Sequence, residues 1–268
     1  MTGFQSRWLD LREPVDNSAR HAGLRRLAVD FVAENGPEAR IVDLGCGTGS
    51  TFRALSPEAS GWRWQLVDND PRLLDEARSR HGANDHLEFV SLDLTNISND
   101  LFAGTTLVTA SALFDLVSLE LVETLAFCLK AQRASLYAAL NYNGSCTWSQ
   151  QHEADGVVVA AFNDHQRNDK GMGPALGRDS GPALKQVFEK AGFRVLVGES
   201  SWRFGPEHGE LHRQFIEGMA HAAGEMRSLD PLLLDDWRQH RLARTNSSSC
   251  EVGHWDVLAF ASSMATTG

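Results

Sequence analysis

The chain has 268 residues, of which 42% are hydrophobic and 22% charged. That length and balance fit one large or two small globular domains with a substantial core. A formal net charge of −10 and an isoelectric point near 5.4 disfavour nucleic acid as a partner, because nucleic-acid binders usually carry a basic face. The longest apolar runs fall far short of the ~20 residues that a membrane span needs, so the sequence predicts an ordinary soluble protein.

Neither the start of the sequence nor its cysteines suggest an oxidising compartment. The start, "MTGFQSRWLDLREP", has no basic n-region and no apolar h-region, so no export signal is expected. The cysteines Cys46, Cys128, Cys146 and Cys250 are widely spaced and form no C-x-x-C pair, which argues against a zinc site and against a dense disulfide framework. These features predict a cytoplasmic protein.

Helical and strand patterns alternate along the first half of the chain. A helix over residues 19–35 precedes the buried strand "ARIVDLG", which runs into a glycine turn and the helix "GSTFRALS". The later strands are "WRWQLVDND", "LEFVSLDLTN", "TTLVTASALF" and "ASLYAALNY", and the helices between them are "PRLLDEARSRHG" and "LVSLELVETLAFCLKAQ". Such alternation predicts a mostly parallel sheet with helices on its faces.

Beyond Tyr142 the regular alternation stops. Residues 143–180 are polar and glycine-rich, and only "GVVVAAF" looks regular, so they predict a loop insertion after strand five. A helix and a sixth strand follow, then a helical insertion over residues 206–250 and a last strand, "HWDVLAFA". No linker composition divides the chain, which predicts a single domain over 1–268 with an N-terminal helical cap over 1–37.

The stretch "IVDLGCGTGS" predicts a ligand site where backbone N–H groups and a helix N-terminus face a bound molecule. A P-loop would need Gly-Lys-Ser/Thr, which does not occur here. A dinucleotide site would need G-x-G-x-x-G, whereas Gly45, Gly47 and Gly49 are spaced G-x-G-x-G and Ser50 stands where the third glycine would fall. The spacing weakens an NAD site but leaves it open.

"DLGCGTG" resembles the first motif of the class I S-adenosylmethionine-dependent methyltransferases, with Asp43 as the acidic residue two positions before the first glycine. The resemblance extends through residues 38–142. Asp68 closes the second strand, where the family acid accepts the ribose hydroxyls, and Asp93 and Leu94 follow the third strand, where the family brackets the adenine. Ser111 follows the fourth strand, near the methionine moiety.

The resemblance implies S-adenosylmethionine as cofactor and S-adenosylhomocysteine as product. It implies a doubly wound, mostly parallel seven-stranded sheet whose last strand is antiparallel, with the cofactor across the carboxyl ends of the strands. The implied cofactor-binding residues are Asp43, Gly45, Cys46, Gly47, Gly49, Asp68, Asn69, Asp93, Leu94 and Ser111.

Methyl transfer from a sulfonium is an in-line displacement, so an enzyme mainly aligns the nucleophile and excludes water. Where a base is needed, we predict His165, with Tyr142 and His254 as the other titratable side chains near the pocket. The polar segment "NDHQRNDKGMGPALG" is predicted to fold over the acceptor as a lid. The predicted substrate-binding residues are Asn163, His165, Arg167, Lys170 and Tyr142.

The sequence therefore predicts an enzyme that methylates an oxygen or nitrogen atom of a small molecule. The alternatives are a protein or RNA methyltransferase, or a non-catalytic S-adenosylmethionine-binding protein of the same fold. Arg12 or Arg20 is expected to pair with the cofactor carboxylate, although a surface helix is an equal alternative. Asp115 alone is insufficient for a metal site, so no metal is predicted, and a homodimer is left open.

Overall fold

The computed structural model describes residues 6–56, 61–82 and 85–261. Two helices, α1 (Ser6–Ala19) and α2 (Ala22–Glu34), precede the sheet. The first half continues as β1 (Arg40–Leu44), α3 (Ser50–Leu55), β2 (Arg63–Asp68), α4 (Pro71–His81), β3 (Leu87–Ser91), β4 (Leu107–Ser111), α5 (Leu119–Gln132) and β5 (Ser135–Trp148). The second half comprises α6 (Asp155–Gln166), α7 (Ser180–Ala191), β6 (Arg194–Glu199), β7 (Trp202–Phe204), α8 (Gly209–Glu225), α9 (Pro231–Leu242) and β8 (Cys250–Phe260).

The strands form one sheet in the order β3-β2-β1-β4-β5-β8-β6. Strands β1 to β5 pair in parallel, and β8 is antiparallel to both of its neighbours, β5 and β6. The doubly wound fold predicted from the sequence is confirmed. In the described part of the chain, no helix is both long enough and apolar enough to cross a membrane.

An eighth strand, β7, was not predicted. It spans only Trp202–Phe204, which is too short to show an alternating pattern. It forms because β8 begins at Cys250, ahead of the predicted "HWDVLAFA", so its first residues extend beyond β6 and pair with β7 instead. This extension places Trp202 opposite Val252 in the sheet.

The sheet is buried on both faces, as parallel sheets flanked by helices usually are. Ile41 belongs to one apolar cluster, which includes residues of α2 and α8, and its neighbour Val42 belongs to the other, which includes residues of α5 and α7. Both side chains are fully buried. Successive residues of β1 therefore support opposite layers of the core.

The insertion after strand five is more regular than its polar composition indicates. Strand β5 runs on to Trp148, and "GVVVAAF" lies in the helix α6 rather than in a loop. Three consecutive valines are poor helix formers, but Val158 and Ala161 are buried in the core, and this packing outweighs local propensity. The second insertion is helical as predicted and forms α8 and α9.

Candidate active site

The turn after β1 is built from glycines in the left-handed backbone region. Gly45, Gly47 and Gly49 have φ angles of 61°, 54° and 84°, which side-chain-bearing residues rarely adopt. The amide of Cys46 donates to the Val67 carbonyl of β2 at 3.0 Å, and this bond holds the turn against the neighbouring strand. The turn leads directly into α3.

The three glycines are required for different reasons. A Cβ atom on Gly45 would lie 3.1 Å from Leu113, and one on Gly47 would lie 3.1 Å from Leu9 of α1. A Cβ atom on Gly49 would lie 2.7 Å from Nε2 of His81 in α4. Gly45 and Gly47 line the cavity described next, whereas Gly49 does not. Packing against α4 accounts for that glycine, and its contact with the cofactor stays a prediction.

A cavity of about 1200 Å³ opens at the carboxyl ends of β1, β2, β4 and β5. We call one part of it the turn end, lined by Gly45, Cys46, Gly47, Asp68, Asn69, Leu94 and Ser111. The other part, which we call the helical end, is lined by Arg12, Asp115, Tyr142, Phe162, Trp202, Phe215, Met219 and His254. The cavity includes the boundary between β1 and β4, where the strand order reverses and where ligands of such sheets bind.

Asp68 connects the end of β2 to the glycine turn. Its Oδ2 accepts a hydrogen bond from the Gly47 amide at 2.8 Å, and its Oδ1 accepts one from the Asp70 amide at 2.9 Å. Burial raises the pKa of this carboxyl above its usual value. Each carboxylate oxygen has a second lone pair, so Asp68 can still accept hydroxyl groups such as those of a ribose.

A buried arginine lies behind the turn end. Arg20 is 5% exposed, and its Nη2 donates to Oγ of Ser111 at 3.2 Å. Its Nε and Nη1 are buried and have no hydrogen-bond partner within the described ranges of the chain. Arg20 itself does not line the cavity, but Ser111 does. The guanidinium thus supplies positive charge next to the residue at which the resemblance places the methionine moiety.

Asp43 supports the turn from below instead of lining the cavity. The hydroxyl of Thr109 donates to its Oδ1 at 2.7 Å. Burial raises the pKa of Asp43 to about 7, and the positive charge of Arg20 opposes that rise. The carboxyl therefore acts through the strands β1 and β4, not through direct contact with the cavity.

Two predicted adenine-site residues occupy different environments. Leu94 is buried and lines the cavity. Asp93 is exposed and does not line it, because its Oδ1 caps a short 3-10 turn by accepting hydrogen bonds from the amide and the hydroxyl of Thr95 at 2.9 and 2.8 Å. The adenine contact of Asp93 stays a prediction. Cys46 and Asn69 both line the turn end, and burial raises the pKa of the Cys46 thiol well above its usual value.

At the helical end, an ion pair within α1 contacts Trp202 of β7. Nε of Arg12 lies 2.9 Å from Oδ2 of Asp16, and the indole N–H of Trp202 donates to Oδ1 of the same carboxylate at 2.8 Å. The Arg12 guanidinium also lies over the Trp202 ring, 5.2 Å from its centroid. The charges of Arg12 and Asp16 therefore balance one another within the wall of the cavity.

Tyr142 and His254 are buried side chains of neighbouring strands in the same wall. The Tyr142 hydroxyl donates to Oδ1 of Asn163 at 2.8 Å, and Nδ2 of Asn163 donates to the Gly144 carbonyl at 3.0 Å. Asn163 was predicted to bind substrate, but its side chain is outside the cavity lining and holds Tyr142 in place. His254 donates from Nδ1 to the Val252 carbonyl at 2.9 Å, and burial lowers its pKa to about 3, so its imidazole is neutral.

Asp115 is the site residue to which the sequence analysis gave no role. It lies in a short 3-10 turn, Phe114–Leu116, just after β4, and is 9% exposed. Its Oδ1 is buried without a hydrogen-bond partner among the residues that the structure describes. Burial raises the pKa of Asp115 to about 6, while the positive charge of Arg12 opposes the rise. An isolated aspartate within the apolar stretch "ALFDLV" was the available sequence signal.

His165 and Lys170 meet at the outer margin of the cavity. Nε2 of His165 lies 2.8 Å from Oε2 of Glu225 in α8, and Nζ of Lys170 lies 3.5 Å from His165 Nδ1. Both ring nitrogens thus have partners, which leaves His165 poorly placed to take a proton from an acceptor. Arg167, predicted to bind substrate, does not line the cavity and pairs with Asp179 at the surface. The helix α6 continues to Gln166, so only the second half of the predicted lid is a loop.

Comparison with known proteins agrees with this geometry. Residues 41–133 match the family model described as a methyltransferase domain, a span that includes the glycine turn, Asp68 and Ser111. No curated protein sequence matches the chain. Among solved structures, the YcgJ protein of Bacillus subtilis is 16% identical, with 91% of this chain and 100% of that chain covered and a TM-score of 0.51. A candidate methyltransferase of Bacillus halodurans is 12% identical, with 88% and 99% covered and a TM-score of 0.52.

The structural likenesses establish the class of fold, a Rossmann-like methyltransferase sheet. The family match identifies residues 41–133 as a methyltransferase domain, and the turn-end geometry agrees with S-adenosylmethionine as its cofactor. The residues present suit that group, because the turn end offers bare backbone and a buried carboxylate, with buried guanidinium nitrogens behind it. Within the described ranges, no group of three or more His, Cys, Asp or Glu side chains is placed to hold a metal ion.

Proposed function

We propose that this enzyme transfers a methyl group to an oxygen or nitrogen atom of a small molecule and releases S-adenosylhomocysteine. The observation that carries the proposal is the continuity of the turn end with the helical end in one cavity of about 1200 Å³. A pocket for a single small ligand is typically about 300–1,000 Å³. The cavity can therefore accommodate the cofactor together with a second small molecule.

The walls of the helical end favour a small acceptor over a macromolecule. They come from α1, α6, β7 and α8, so side chains of four separate elements line the space. Trp202 and Met219 are buried, and Phe215 is partly buried, which gives this part of the cavity an apolar surface beside the polar side chains Arg12, Asp115, Tyr142 and His254. Such pockets suit small organic ligands. The net charge of −10 disfavours RNA in addition.

Each part of the site has a role in this proposal. When bound, S-adenosylmethionine supplies an electrophilic methyl group on a positively charged sulfur. The backbone of Gly45 and Gly47 lets the cofactor approach closely, Asp68 accepts its ribose hydroxyls, and Leu94 packs against its adenine. Arg20, through its position behind Ser111, stabilises the negative charge of the methionine carboxylate. The helical end aligns the acceptor and excludes water.

Titration calorimetry with S-adenosylmethionine and S-adenosylhomocysteine, with NAD as the control ligand, tests the cofactor site first. A transfer assay with labelled S-adenosylmethionine then offers small amines, alcohols and phenols, and in parallel basic peptides and RNA. Label on a small acceptor supports the proposal. Label on peptide or RNA alone would favour the macromolecular alternative, and cofactor binding without transfer to any acceptor would favour a non-catalytic protein.

A cytoplasmic location and a homodimer stay predictions of the sequence. Fractionation of cells that express the chain tests the first, and sedimentation equilibrium of the purified protein tests the second.

A further inference from the structure

The buried carboxylate of Asp115 has no structural explanation. It is more than nine-tenths buried, it lines the helical end, and its Oδ1 has no partner in the described part of the chain. A buried carboxylate normally pairs with a cation or with hydrogen-bond donors, because an unpaired buried charge is costly. Asp115 therefore presents an unsatisfied oxygen inside the cavity.

The charges around Asp115 do not neutralise it. The titratable and charged groups that face it are Arg12 of α1 and Tyr142 of β5. Arg12 is already paired with Asp16, and the Tyr142 hydroxyl donates to Asn163. His254, which also lines the helical end, is held neutral by burial. Ionised Asp115 thus leaves one uncompensated negative charge in this part of the cavity.

A positively charged ligand would supply the missing partner. An ammonium group can donate to Oδ1 of Asp115 and cancel its charge, while Trp202, Phe215 and Met219 contact an apolar body. A carboxylic acid would bring a second negative charge into the same enclosure and be repelled. A neutral alcohol could make one hydrogen bond but would leave the charge uncompensated. The chemistry of the site therefore selects an amine.

We propose that the acceptor is a small primary or secondary amine with an apolar body, and that Asp115 binds its ammonium group and takes up its proton. This inference rests on the proposed function and narrows it from an oxygen or nitrogen atom to an amine nitrogen. Asp115 lies four residues after Ser111, so the same short segment contacts both the cofactor part and the acceptor part of the cavity.

The reaction can then be written with every proton and electron pair placed. One N–H proton of the ammonium moves to Asp115, which leaves a neutral amine and a carboxylic acid. The nitrogen lone pair forms the new bond to the methyl carbon as the carbon–sulfur bond breaks, and the electron pair of that bond stays on sulfur. The products are S-adenosylhomocysteine and a methylated ammonium, and the proton on Asp115 leaves to solvent. Because burial raises the pKa of Asp115, this carboxylate is a better proton acceptor than an exposed one.

The binding test uses matched ligands on protein saturated with S-adenosylhomocysteine. Benzyl, phenethyl and n-hexyl bodies are each presented as the amine, the alcohol and the carboxylate, and affinities are measured by calorimetry at pH 8. At least one amine should bind about 10-fold or more tightly than its matched alcohol, and the carboxylates should bind more weakly still. If no amine exceeds its alcohol in any of the three series, the inference is overturned.

The variant Asp115→Asn separates this inference from the proposed function. It should lose the preference for amines by about 10-fold or more while its affinity for S-adenosylhomocysteine stays within about 2-fold of wild type. Asp100→Asn, an exposed aspartate outside the cavity, is the matched control and should change neither affinity. Failure of the wild type to bind S-adenosylhomocysteine would instead contradict the cofactor site.

A pH profile gives an independent readout. For an amine that is turned over, kcat/KM of the wild type should fall below pH ~6, where Asp115 becomes protonated in the free enzyme. Asp115→Asn should lack that acid limb. An Asp115→Asn protein that binds the cofactor, keeps the amine preference and keeps the acid limb would show that Asp115 has only a structural role.

Discussion

The turn end and the helical end of the cavity are encoded differently. The turn end comes from one run of alternating strands and helices, and its glycines and strand-end acids are recognisable in the sequence. The helical end joins α1 to β7 through a hydrogen bond between Asp16 and Trp202, which are 186 positions apart. The backbone of the cofactor site is thus specified locally, whereas the side chains that face the acceptor are brought together only by the tertiary fold.

The largest expected effect lies at the turn end. Asp68→Ala removes a carboxylate that holds the amides of Gly47 and Asp70 and is proposed to accept the ribose hydroxyls. Hydrogen bonds to a charged group contribute about 1.5–3 kcal/mol each, so the affinity for S-adenosylhomocysteine should fall by about 100-fold or more. Calorimetry measures the loss, with Asp100→Asn as control. An unchanged affinity would show that Asp68 does not contact the cofactor.

Two glycine substitutions compare a position that packs against another helix with a position that has only a left-handed backbone angle. Gly49→Ala forces a left-handed alanine whose Cβ lies 2.7 Å from His81 Nε2, and His81 is held by contacts with Arg53 and Thr48. Gly36→Ala has a similar φ of 90°, but its Cβ atom meets no atom of residues 6–56, 61–82 or 85–261 within 4 Å. Both should lose about 1 kcal/mol to backbone strain, and Gly49→Ala should lose about 1–2 kcal/mol more from the clash.

Urea unfolding of the two glycine variants measures this difference in the free energy of unfolding. Equal losses would mean that His81 moves aside without cost, and that the third glycine of the turn is needed only for its backbone angle.

Acidic pH should change the free energy of unfolding in opposite directions through His254, which lines the helical end, and Asp43, which supports the turn end. The pKa of His254 is lowered to about 3, so between pH 6.5 and 3 the unfolded chain binds a proton that the folded chain does not, and stability falls as pH falls. The pKa of Asp43 is raised to about 7, so between pH 7 and 3.8 the folded chain binds the extra proton, and this contribution rises as pH falls.

Single variants resolve the two contributions. From pH 7 to pH 5, His254→Gln should gain about 2 kcal/mol of stability relative to wild type, and Asp43→Asn should lose stability relative to wild type over the same interval. Urea unfolding of the ligand-free proteins at both pH values measures each change. If the free energy of unfolding changes between pH 7 and pH 5 by the same amount in both variants as in wild type, neither group titrates in this range.

The smallest effect is expected at the outer margin of the cavity. Removing a general base typically costs about 100-fold or more in rate. Both ring nitrogens of His165 already face partners, Glu225 and Lys170, so His165→Asn should keep kcat within about 3-fold of wild type. Steady-state kinetics measure this, with Asp115→Asn as the contrasting variant. A loss near 100-fold would restore His165 as the base.

Sequence analysis predicted the fold and most of the turn end because those features are local. Strand, glycine turn and helix follow one another in the chain, Asp68 and Ser111 each end a strand, and Leu94 comes three residues after one. The same local view could not show that Gly49 is required by His81, which lies in another helix. An aspartate followed two positions later by a threonine is typical of a side chain that caps its own turn, and sequence analysis did not consider this for Asp93.

The helical end was harder to predict because its chemistry depends on tertiary contacts and on one buried carboxylate. Asp115 is of interest because no cation among the described residues is paired with it, and the spacing of residues along a chain does not report a missing partner. The placement of α6 was unclear for a related reason: its valines suit a strand, and only the burial of Val158 and Ala161 selects the helix. Asn163 supports Tyr142 across a gap of 21 positions that the polar pattern did not indicate.

The hydrogen bond from Trp202 to Asp16 also bears on the order of folding. A contact between residues so far apart closes a long loop of chain, and such contacts form late because the entropy cost of closure precedes any stabilisation. The strands of the turn end pair with near neighbours in the sequence and close much shorter loops. We therefore expect the cofactor site to become protected from hydrogen exchange early in refolding, and the indole N–H of Trp202 to become protected last.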